Sequence, residues 1–338
     1  MPWKHERDPY LIWLSEVILQ QTRVEQGMPY YERFRERFPD VGALAAASED
    51  EVMKMWEGLG YYRRAQHMLE AARSIVQEQG GVFPDNYAKI RSLKGVGPYT
   101  AAAIASFAYD LPFAVVDGNV FRVLARVFGI EEPLGSTASR KQFEAVAAAA
   151  LDRERPGRFN QAIMDFGATV CLPRNPACAT CPLASGCRAF REGKQHALPV
   201  KPAKRARKVR HFHYLDLQYG DLRYIRKRAG EDIWRNLYEF PLIERADAAA
   251  SLPVIRKSPE WARWTERTPH RYLGRSQTFS QTLSHQIIRA TFHRLQLEEP
   301  LRPAAAGLRE VPANELDRYA FPRLIDWYLR DNSLTLNL

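Results

Sequence analysis

Residues 92–109 read SLKGVGPYTAAAIASFAY, and this stretch constrains the fold more than any other. Ser92 and Leu93 close one helical pattern, Gly95-Val96-Gly97 predicts a tight turn, and Pro98 opens a second helix at the position that proline favours. Glycines allow positive φ and the close approach of a phosphate group, which the free N–H groups of the second helix can bind. An ordinary corner between two helices has the same residues, so the turn alone does not establish a phosphate site.

The chain on both sides of this turn has a helical pattern up to about residue 190. Apolar residues recur at intervals of three and four, Ser48 followed by Glu51 predicts a helix start, and Gly80-Gly81 predicts a helix end. Residues 199–210, PVKPAKRARKVR, then contain six basic residues, two prolines and no acid. This composition is typical of a solvated linker close to phosphate.

Strand patterns follow the linker. HFHYLDLQY from His211 and LRYIRKR from Leu222 are joined by a predicted turn at Gly220-Asp221, and LYEFPLIE and ATFHRLQLE predict further strands. We therefore predict a multi-domain protein. It has an all-α domain over residues 1–195, a basic linker over 196–210 and an α+β domain over 211–338.

Composition limits the classes of function. The 338 residues are 46% hydrophobic and 26% charged, which is enough for two globular cores, and the net charge of +10 favours a polyanionic partner. A basic solvated surface would give the same charge. Neither the first residues, MPWKHERDPY, nor any later stretch forms an uncharged apolar run of ~18 residues. We expect a cytoplasmic protein without a membrane partner.

The four cysteines lie close together, as Cys171-x6-Cys178-x2-Cys181-x5-Cys187. Thiolates so close in sequence can converge on one metal centre in a reducing compartment. Structural zinc sites commonly use two separate C-x2-C pairs, whereas this run has one such pair flanked by single cysteines. From the spacing alone, zinc and an iron–sulfur cluster both remain open, and disulfides are the least favoured alternative.

Two carboxylates have unusual surroundings. From Tyr10 to Leu19 only Ser15 and Glu16 are polar, so the helix is apolar nearly all round and should raise the pKa of Glu16. Asp117 follows an apolar run and precedes Gly118, where a helix N-cap is expected. A buried hydrogen bond and an ordinary cap would explain these two residues without any catalytic role.

A series of motifs resembles the A/G-specific adenine DNA glycosylases, the MutY family of the helix-hairpin-helix iron–sulfur glycosylase superfamily. In chain order they are SEVILQQT, GLGYYRRA, LKGVGPYT, VDGNVFRVLAR, RFNQAIMDFGA and the cysteine run, covering about residues 3 to 190. The resemblance implies a helix-hairpin-helix over residues 92–109. It also implies one 4Fe–4S cluster in the loop 171–187, held by Cys171, Cys178, Cys181 and Cys187.

The resemblance also implies a substrate and a set of site residues. The substrate is duplex DNA with adenine opposite 8-oxoguanine or guanine, bound by a monomer that is nucleoid-associated if bacterial. Glu16 would protonate N7 of adenine, Asp117 would stabilise the oxocarbenium-like sugar, and Tyr99 and Asn119 complete the catalytic set. Base and duplex contacts would come from Trp3, Lys4, Leu19, Gln20, Gln21, Thr22, Tyr61 and Gln161, and DNA-backbone contacts from Gly95, Val96 and Gly97.

One substitution favours a monofunctional enzyme. Related endonuclease-III-type enzymes have a lysine nucleophile where this chain has Tyr99, and a tyrosine cannot form a Schiff base. Lys94 does not match that site, and Phe121 stands where some family members have a second lysine. Two alternatives remain: a bifunctional glycosylase/lyase, and a non-catalytic iron–sulfur DNA-binding redox protein, which would not require Glu16 and Asp117.

The second domain resembles the Nudix-like C-terminal domain of the same family, which senses 8-oxoguanine. A Nudix hydrolase box is not recognisable, so we expect this domain to bind rather than hydrolyse. The family has a Phe-Ser-His loop whose counterpart here is Leu283-Ser284-His285, with Ser284 and His285 as expected lesion contacts. We interpret Trp234 and Tyr238 as core aromatics.

Overall fold

A computed structural model describes residues 6–133, 135–201, 206–246, 251–265, 267–301 and 307–331. Trp3 and Lys4 lie outside these residues. The chain forms two compact units: Met1–Ala47 with His67–Lys204, and Ser48–Gln66 with Arg205–Leu338. The second unit therefore includes a segment, residues 48–66, that the sequence pattern placed in the helical domain.

The first half of the chain is helical, as predicted. Its helices are α1 (Pro9–Leu19), α2 (Val24–Arg37), α3 (Val41–Ala46), α4 (Glu49–Met55), α5 (Arg63–Gln79), α6 (Tyr87–Ser92), α7 (Pro98–Tyr109), α8 (Gly118–Phe128), α9 (Thr137–Ala150), α10 (Pro156–Thr169) and α11 (Arg188–Arg191). Short 3₁₀ turns at Cys178–Thr180 and Ala184–Gly186 shape the cysteine loop. No helix among the described residues is long and apolar enough to cross a membrane.

Local signals in the sequence set the ends of several of these helices. Asp8 caps α1 by accepting a hydrogen bond from the Tyr10 N–H at 2.8 Å, and Pro9 occupies the first helical position. Gly97 precedes α7, and Gly95 has φ +77°. A Cβ atom on Gly95 would lie 2.7 Å from Cβ of His67, so both backbone conformation and space require glycine there. The predicted helix-hairpin-helix is confirmed.

Close packing of α10 against α8 and α7 builds the core around the hairpin. At the contact with α8, a Cβ on Gly167 would lie 2.7 Å from Cβ of Asn119, so glycine allows the two helices to approach. Val120, Leu124 and Phe143 are buried between α8 and α9. The first turn of α8, which begins after Asp117, is thereby held against α10.

The second unit contains a mixed sheet of eight strands. They are β1 (Lys208–Tyr219), β2 (Leu222–Lys227), β3 (Tyr238–Glu239), β4 (Leu242–Arg245), β5 (His270–Arg275), β6 (Phe279–Thr282), β7 (Gln286–Leu297) and β8 (Arg309–Pro312). The main order is β3-β2-β1-β7-β5, while β4 pairs with β1, β6 with β7 and β8 with β2. β1 and β7 run parallel, from the Lys208–Gln286 pair to the Gln218–Gln296 pair, and the other pairs are antiparallel.

Helices α12 (Leu252–Arg256), α13 (Pro259–Thr265) and α14 (Arg323–Arg330) accompany this sheet, which confirms the α+β prediction. β1 begins at Lys208 rather than at His211, because the parallel pairing with β7 extends into the basic segment that was expected to be a linker. Trp234 and Tyr238 are buried, with exposed fractions of 8% and 4%, as expected for core aromatics.

Candidate active site

A cavity of about 1230 Å³ lies within the first unit and is lined by parts of α1, α7, α8 and α10. Its walls include most of the predicted site residues of this unit. These are Glu16, Leu19, Gln20, Gln21, Thr22, Gly95, Gly97, Tyr99, Asp117, Asn119 and Gln161. Segments separated by up to about 145 positions in the chain thus meet at one site. Tyr61, Ser284 and His285 belong to the second unit.

Glu16 lies on α1 with only 9% of its surface exposed. Burial raises its pKa to about 7, and the negative charge of Asp117 acts in the same direction. The Tyr99 hydroxyl donates a hydrogen bond to the Glu16 carboxylate, which opposes the rise, and the pKa of Tyr99 is itself well above its usual range. Glu16 can therefore retain a proton near neutral pH, as its apolar helix predicts.

Asp117 is the N-cap of α8, and both of its carboxylate oxygens accept hydrogen bonds. Oδ1 accepts from the Val120 N–H at 2.7 Å, and Oδ2 accepts from Asn119 Nδ2 at 2.9 Å. These two donors fix the orientation of the carboxylate at the positive end of the helix dipole. The expected cap role is thus present, in a carboxylate that also lines the cavity.

Arg122 holds the Asn119 side chain, and the sequence interpretation missed it. The guanidinium donates to Asn119 Oδ1 at 2.8 Å and to the backbone oxygens of Gly167 and Cys171 at 2.6 Å each. Arg122 is buried. Its position one turn after Asn119 on a largely apolar helix was a signal that could have identified it.

Asn160 on α10 is a second missed residue. Its side chain is 1% exposed and donates to Ser106 Oγ at 2.9 Å and to the Phe113 carbonyl at 2.8 Å. Its Oδ1 accepts from the Val115 N–H at 3.1 Å. Because both the oxygen and the nitrogen of this amide hydrogen-bond to the backbone, Asn160 fixes the irregular segment that leads to Asp117. Nothing in the local pattern around Asn160 indicates this role.

The remaining polar wall residues have partners of their own. Gln20 Nε2 donates to Thr100 Oγ1 at 3.2 Å, and Gln161 Nε2 donates to Asp165 Oδ1 at 3.3 Å. In the hairpin, the Val96 N–H donates to the Leu93 carbonyl at 3.1 Å. A phosphate contact at Val96 would therefore have to share this backbone donor.

The four cysteines surround one pocket beside α8, and all four are free and partly buried. The guanidinium of Arg126, a buried residue absent from our sequence interpretation, donates to Cys171 Sγ at 3.3 Å, and the Cys187 thiol donates to the Arg126 carbonyl at 3.4 Å. Four sulfur donors around a common pocket fit an iron–sulfur cluster. Within the described residues, no three His, Cys, Asp or Glu side chains are arranged as ligands of a single metal ion.

Two protein families match separate parts of the chain. Residues 14–148 match the family described as HhH-GPD superfamily base excision DNA repair protein, and residues 216–331 match the NUDIX domain. The adenine DNA glycosylase of Buchnera aphidicola subsp. Baizongia pistaciae is 36% identical over 247 residues, which are 71% of this chain and 68% of that protein. The adenine DNA glycosylase of Mus musculus is 44% identical over 214 residues, 60% of this chain and 42% of that protein.

A solved structure of a thermostable thymine-DNA glycosylase shares the fold, with a TM-score of 0.52 and 30% identity over 57% of this chain and 88% of that one. This likeness agrees with the helical first unit. Because the similarity to the bacterial relative extends over more than two thirds of both chains, the chain belongs to the adenine DNA glycosylase family.

Proposed function

We propose that this DNA glycosylase hydrolyses the N-glycosidic bond of adenine opposite 8-oxoguanine or guanine in duplex DNA, without a lyase step. One observation supports the chemistry most directly: a buried Glu16 whose pKa is raised to about 7 shares a cavity with Asp117. Adenine is a poor leaving group until it is protonated, and its departure leaves a cationic sugar. The site needs one acid and one anion.

The reaction requires the adenine to leave the base stack and enter the cavity. Glu16 donates its proton to N7, the bond between C1′ and N9 breaks with its electron pair moving to the base, and Asp117 stabilises the oxocarbenium-like sugar. Water then attacks C1′, and its proton passes to the Glu16 carboxylate. This last transfer restores the acid for the next turnover.

Tyr99 supports the absence of a lyase step. A Schiff base with the sugar requires an amine, and none of the described residues that line the cavity is a lysine. The Tyr99 hydroxyl instead donates a hydrogen bond to Glu16. In this proposal Tyr99 orients the acid, and Asn119 does the same for Asp117 through its 2.9 Å hydrogen bond.

In the second unit, we assign lesion recognition to Ser284 and His285. Both are exposed in the turn between β6 and β7, with Ser284 Oγ 3.2 Å from His285 Nδ1. Oxidation of guanine turns N7 into a donor and adds an oxygen at C8, so a hydroxyl and an imidazole could distinguish the lesion from guanine. The protein would act as a monomer, in the cytoplasm and with the nucleoid if it is bacterial.

We assign one 4Fe–4S cluster to Cys171, Cys178, Cys181 and Cys187, in a structural role that orders the loop. Protein purified after expression with adequate iron should be brown, with broad absorption near ~400 nm, and Cys181→Ser should lose folding or DNA affinity. Metal analysis tests the assignment. Stoichiometric zinc without iron would contradict it.

A gel assay with three duplexes tests the catalytic proposal. They contain adenine opposite 8-oxoguanine, adenine opposite guanine, or thymine glycol, and each is assayed with and without alkali. We expect strand breaks at adenine only after alkali, because base loss without lyase action leaves an intact backbone. Breaks without alkali would support the bifunctional alternative, and binding without base release would support the redox alternative.

A further inference from the structure

The segment from Ser48 to Gln66 is unusual because it comes from the helical half of the chain but belongs to the second unit. It comprises α4 and a turn that leads into α5. We call residues 58–62, GLGYY, the Tyr61 turn. This turn contains Tyr61, one of the residues that the family resemblance places in contact with the duplex, so the contacts that hold the turn bear on recognition.

The backbone of the Tyr61 turn has an uncommon conformation. Gly58 and Gly60 have φ of +86° and +80°, and Tyr61, a residue with a bulky side chain, has φ +47°. Such a residue persists in the left-handed region only where its surroundings impose that conformation. The Tyr61 ring is nevertheless 48% exposed, with the Arg64 guanidinium 5.7 Å from its centre.

Contacts within the second unit fix the first turn of α4. Lys227 Nζ lies 2.9 Å from Glu49 Oε2 and 2.7 Å from Asp50 Oδ1. The Tyr238 hydroxyl donates to Asp50 Oδ2 at 3.0 Å, and the Asn236 side-chain amide donates to Glu49. Lys227 and Tyr238 lie on the paired strands β2 and β3. The two acids are therefore held by residues on, or next to, two paired strands of the sheet.

The chain after α4 is attached as well. The Phe321 N–H donates to Glu57 Oε1 at 2.8 Å, just before the Tyr61 turn. Beyond the turn, Gln66 Nε2 donates to the Arg235 carbonyl at 2.7 Å. The turn thus lies between attachment points on both sides, all within the second unit.

From these contacts we propose that Lys227, Asn236 and Tyr238 are positioning residues for Tyr61. By holding Glu49 and Asp50, they fix the helix from which the Tyr61 turn projects toward the duplex. This inference rests on the proposed function and extends it: the Tyr61 turn and the Ser284-His285 turn belong to one unit that reads the base opposite adenine.

Reversing the charge of Lys227 is a stronger perturbation than removing it, because losing a partly exposed ion pair usually costs little stability. Lys227→Glu would place a third acid beside Glu49 and Asp50. Lys227→Arg retains the charge, and the double change Lys227→Glu with Asp50→Lys restores attraction with the signs exchanged. Arg271→Glu, at an exposed position of β5, is the control for the lost positive charge.

The first measurement is the single-turnover rate of adenine release opposite 8-oxoguanine by the full-length protein. We expect Lys227→Glu to lower it about five- to tenfold, with recovery in the charge-exchanged double variant and in Lys227→Arg, and less than twofold change in Arg271→Glu. In a Tyr61→Ala background, Lys227→Glu should have less than a twofold further effect, because the residue it positions is gone. An unchanged rate, or equal effects in both backgrounds, would overturn the proposal.

The second measurement is independent of catalysis. In hydrogen–deuterium exchange of the free protein, Lys227→Glu should accelerate exchange of amides 50–62 at least tenfold and leave those of α7 unchanged. Unchanged exchange at amides 50–62 would also overturn the proposal. Failure of the wild-type protein to release adenine would instead contradict the proposed function, and the exchange result would still show whether Lys227 holds the segment.

Discussion

The cavity of the first unit and the Ser284-His285 turn of the second unit contrast in how they hold their polar groups. In the cavity, Glu16 is 9% exposed and Asp117 accepts hydrogen bonds on both oxygens. In the turn, Ser284 and His285 are exposed, and their side chains contact each other, with Ser284 Oγ 3.2 Å from His285 Nδ1.

This difference is the one that the two proposed tasks require. Proton transfer near neutral pH requires a carboxyl group whose pKa burial has raised, and burial in turn requires partners for every polar neighbour. A residue that reads a base must remain exposed until the duplex arrives. We therefore expect substitutions in the cavity to have large effects on rate, and substitutions in the turn to have small effects on discrimination.

The largest effect should come from Glu16→Gln, since an amide keeps the shape but cannot deliver a proton. We expect the single-turnover rate of adenine release to fall ~10²–10⁴-fold while binding of the mispair is largely retained. Glu25→Gln, an exposed glutamate in the first turn of α2, is the control. A variant at Glu16 that keeps more than about a tenth of the rate would show that the acid lies elsewhere.

Asp117→Asn should reduce the rate by about 10²–10³-fold, because asparagine retains the N-cap but removes the negative charge beside the sugar. The melting temperature should be nearly unchanged, which separates the electrostatic effect from loss of α8. An active variant would assign stabilisation of the sugar cation to another group.

The pH dependence should reveal Glu16 as the acid. Above pH 7 the wild-type rate should fall about tenfold per pH unit, because the protonated form is lost as the pH passes its pKa of about 7. A rate that stays constant between pH 6 and pH 9 would contradict this assignment.

The same group affects stability, with a defined sign. The pKa of Glu16 is higher in the folded protein than its ordinary value of 4.5, so the folded state binds more protons between that pH and about 7. The contribution of Glu16 to the free energy of unfolding therefore falls as the pH rises through this window. By pH 8 the free energy of unfolding of Glu16→Gln should have risen by up to roughly 3 kcal/mol relative to that of the wild type. Denaturant titrations of both proteins below and above this pH window would show the difference.

The smallest effect should come from Ser284→Ala combined with His285→Ala. The ratio of the rates opposite 8-oxoguanine and guanine should fall about tenfold, as expected for loss of ~1–3 kcal/mol of base contacts. Ser280→Ala, at an exposed position of the neighbouring β6, should leave the ratio unchanged. An unchanged ratio in the double variant would make the turn an ordinary loop.

Much of the fold followed from local patterns in the sequence. Asp8 with Pro9, Ser48 with Glu51, and the glycines of the hairpin mark helix ends, because capping and backbone freedom depend on a few adjacent residues. The apolar surroundings of Glu16 on α1 likewise predicted its raised pKa. The site residues themselves were proposed through the family motifs, and their roles remain predictions.

Only the tertiary structure showed how distant residues support those motifs. Arg122 and Arg126 reach the cysteine loop, Asn160 holds the segment before Asp117, and residues 48–66 group with the second unit. The partners of the contacts described above are separated by 45 to 264 positions in the chain. Helical and strand periodicity states which face of an element is buried, but not which distant residue packs against it. The sequence therefore determined the helices and strands and the apolar surroundings of Glu16, and side-chain contacts between remote segments determined how the cavity walls are held.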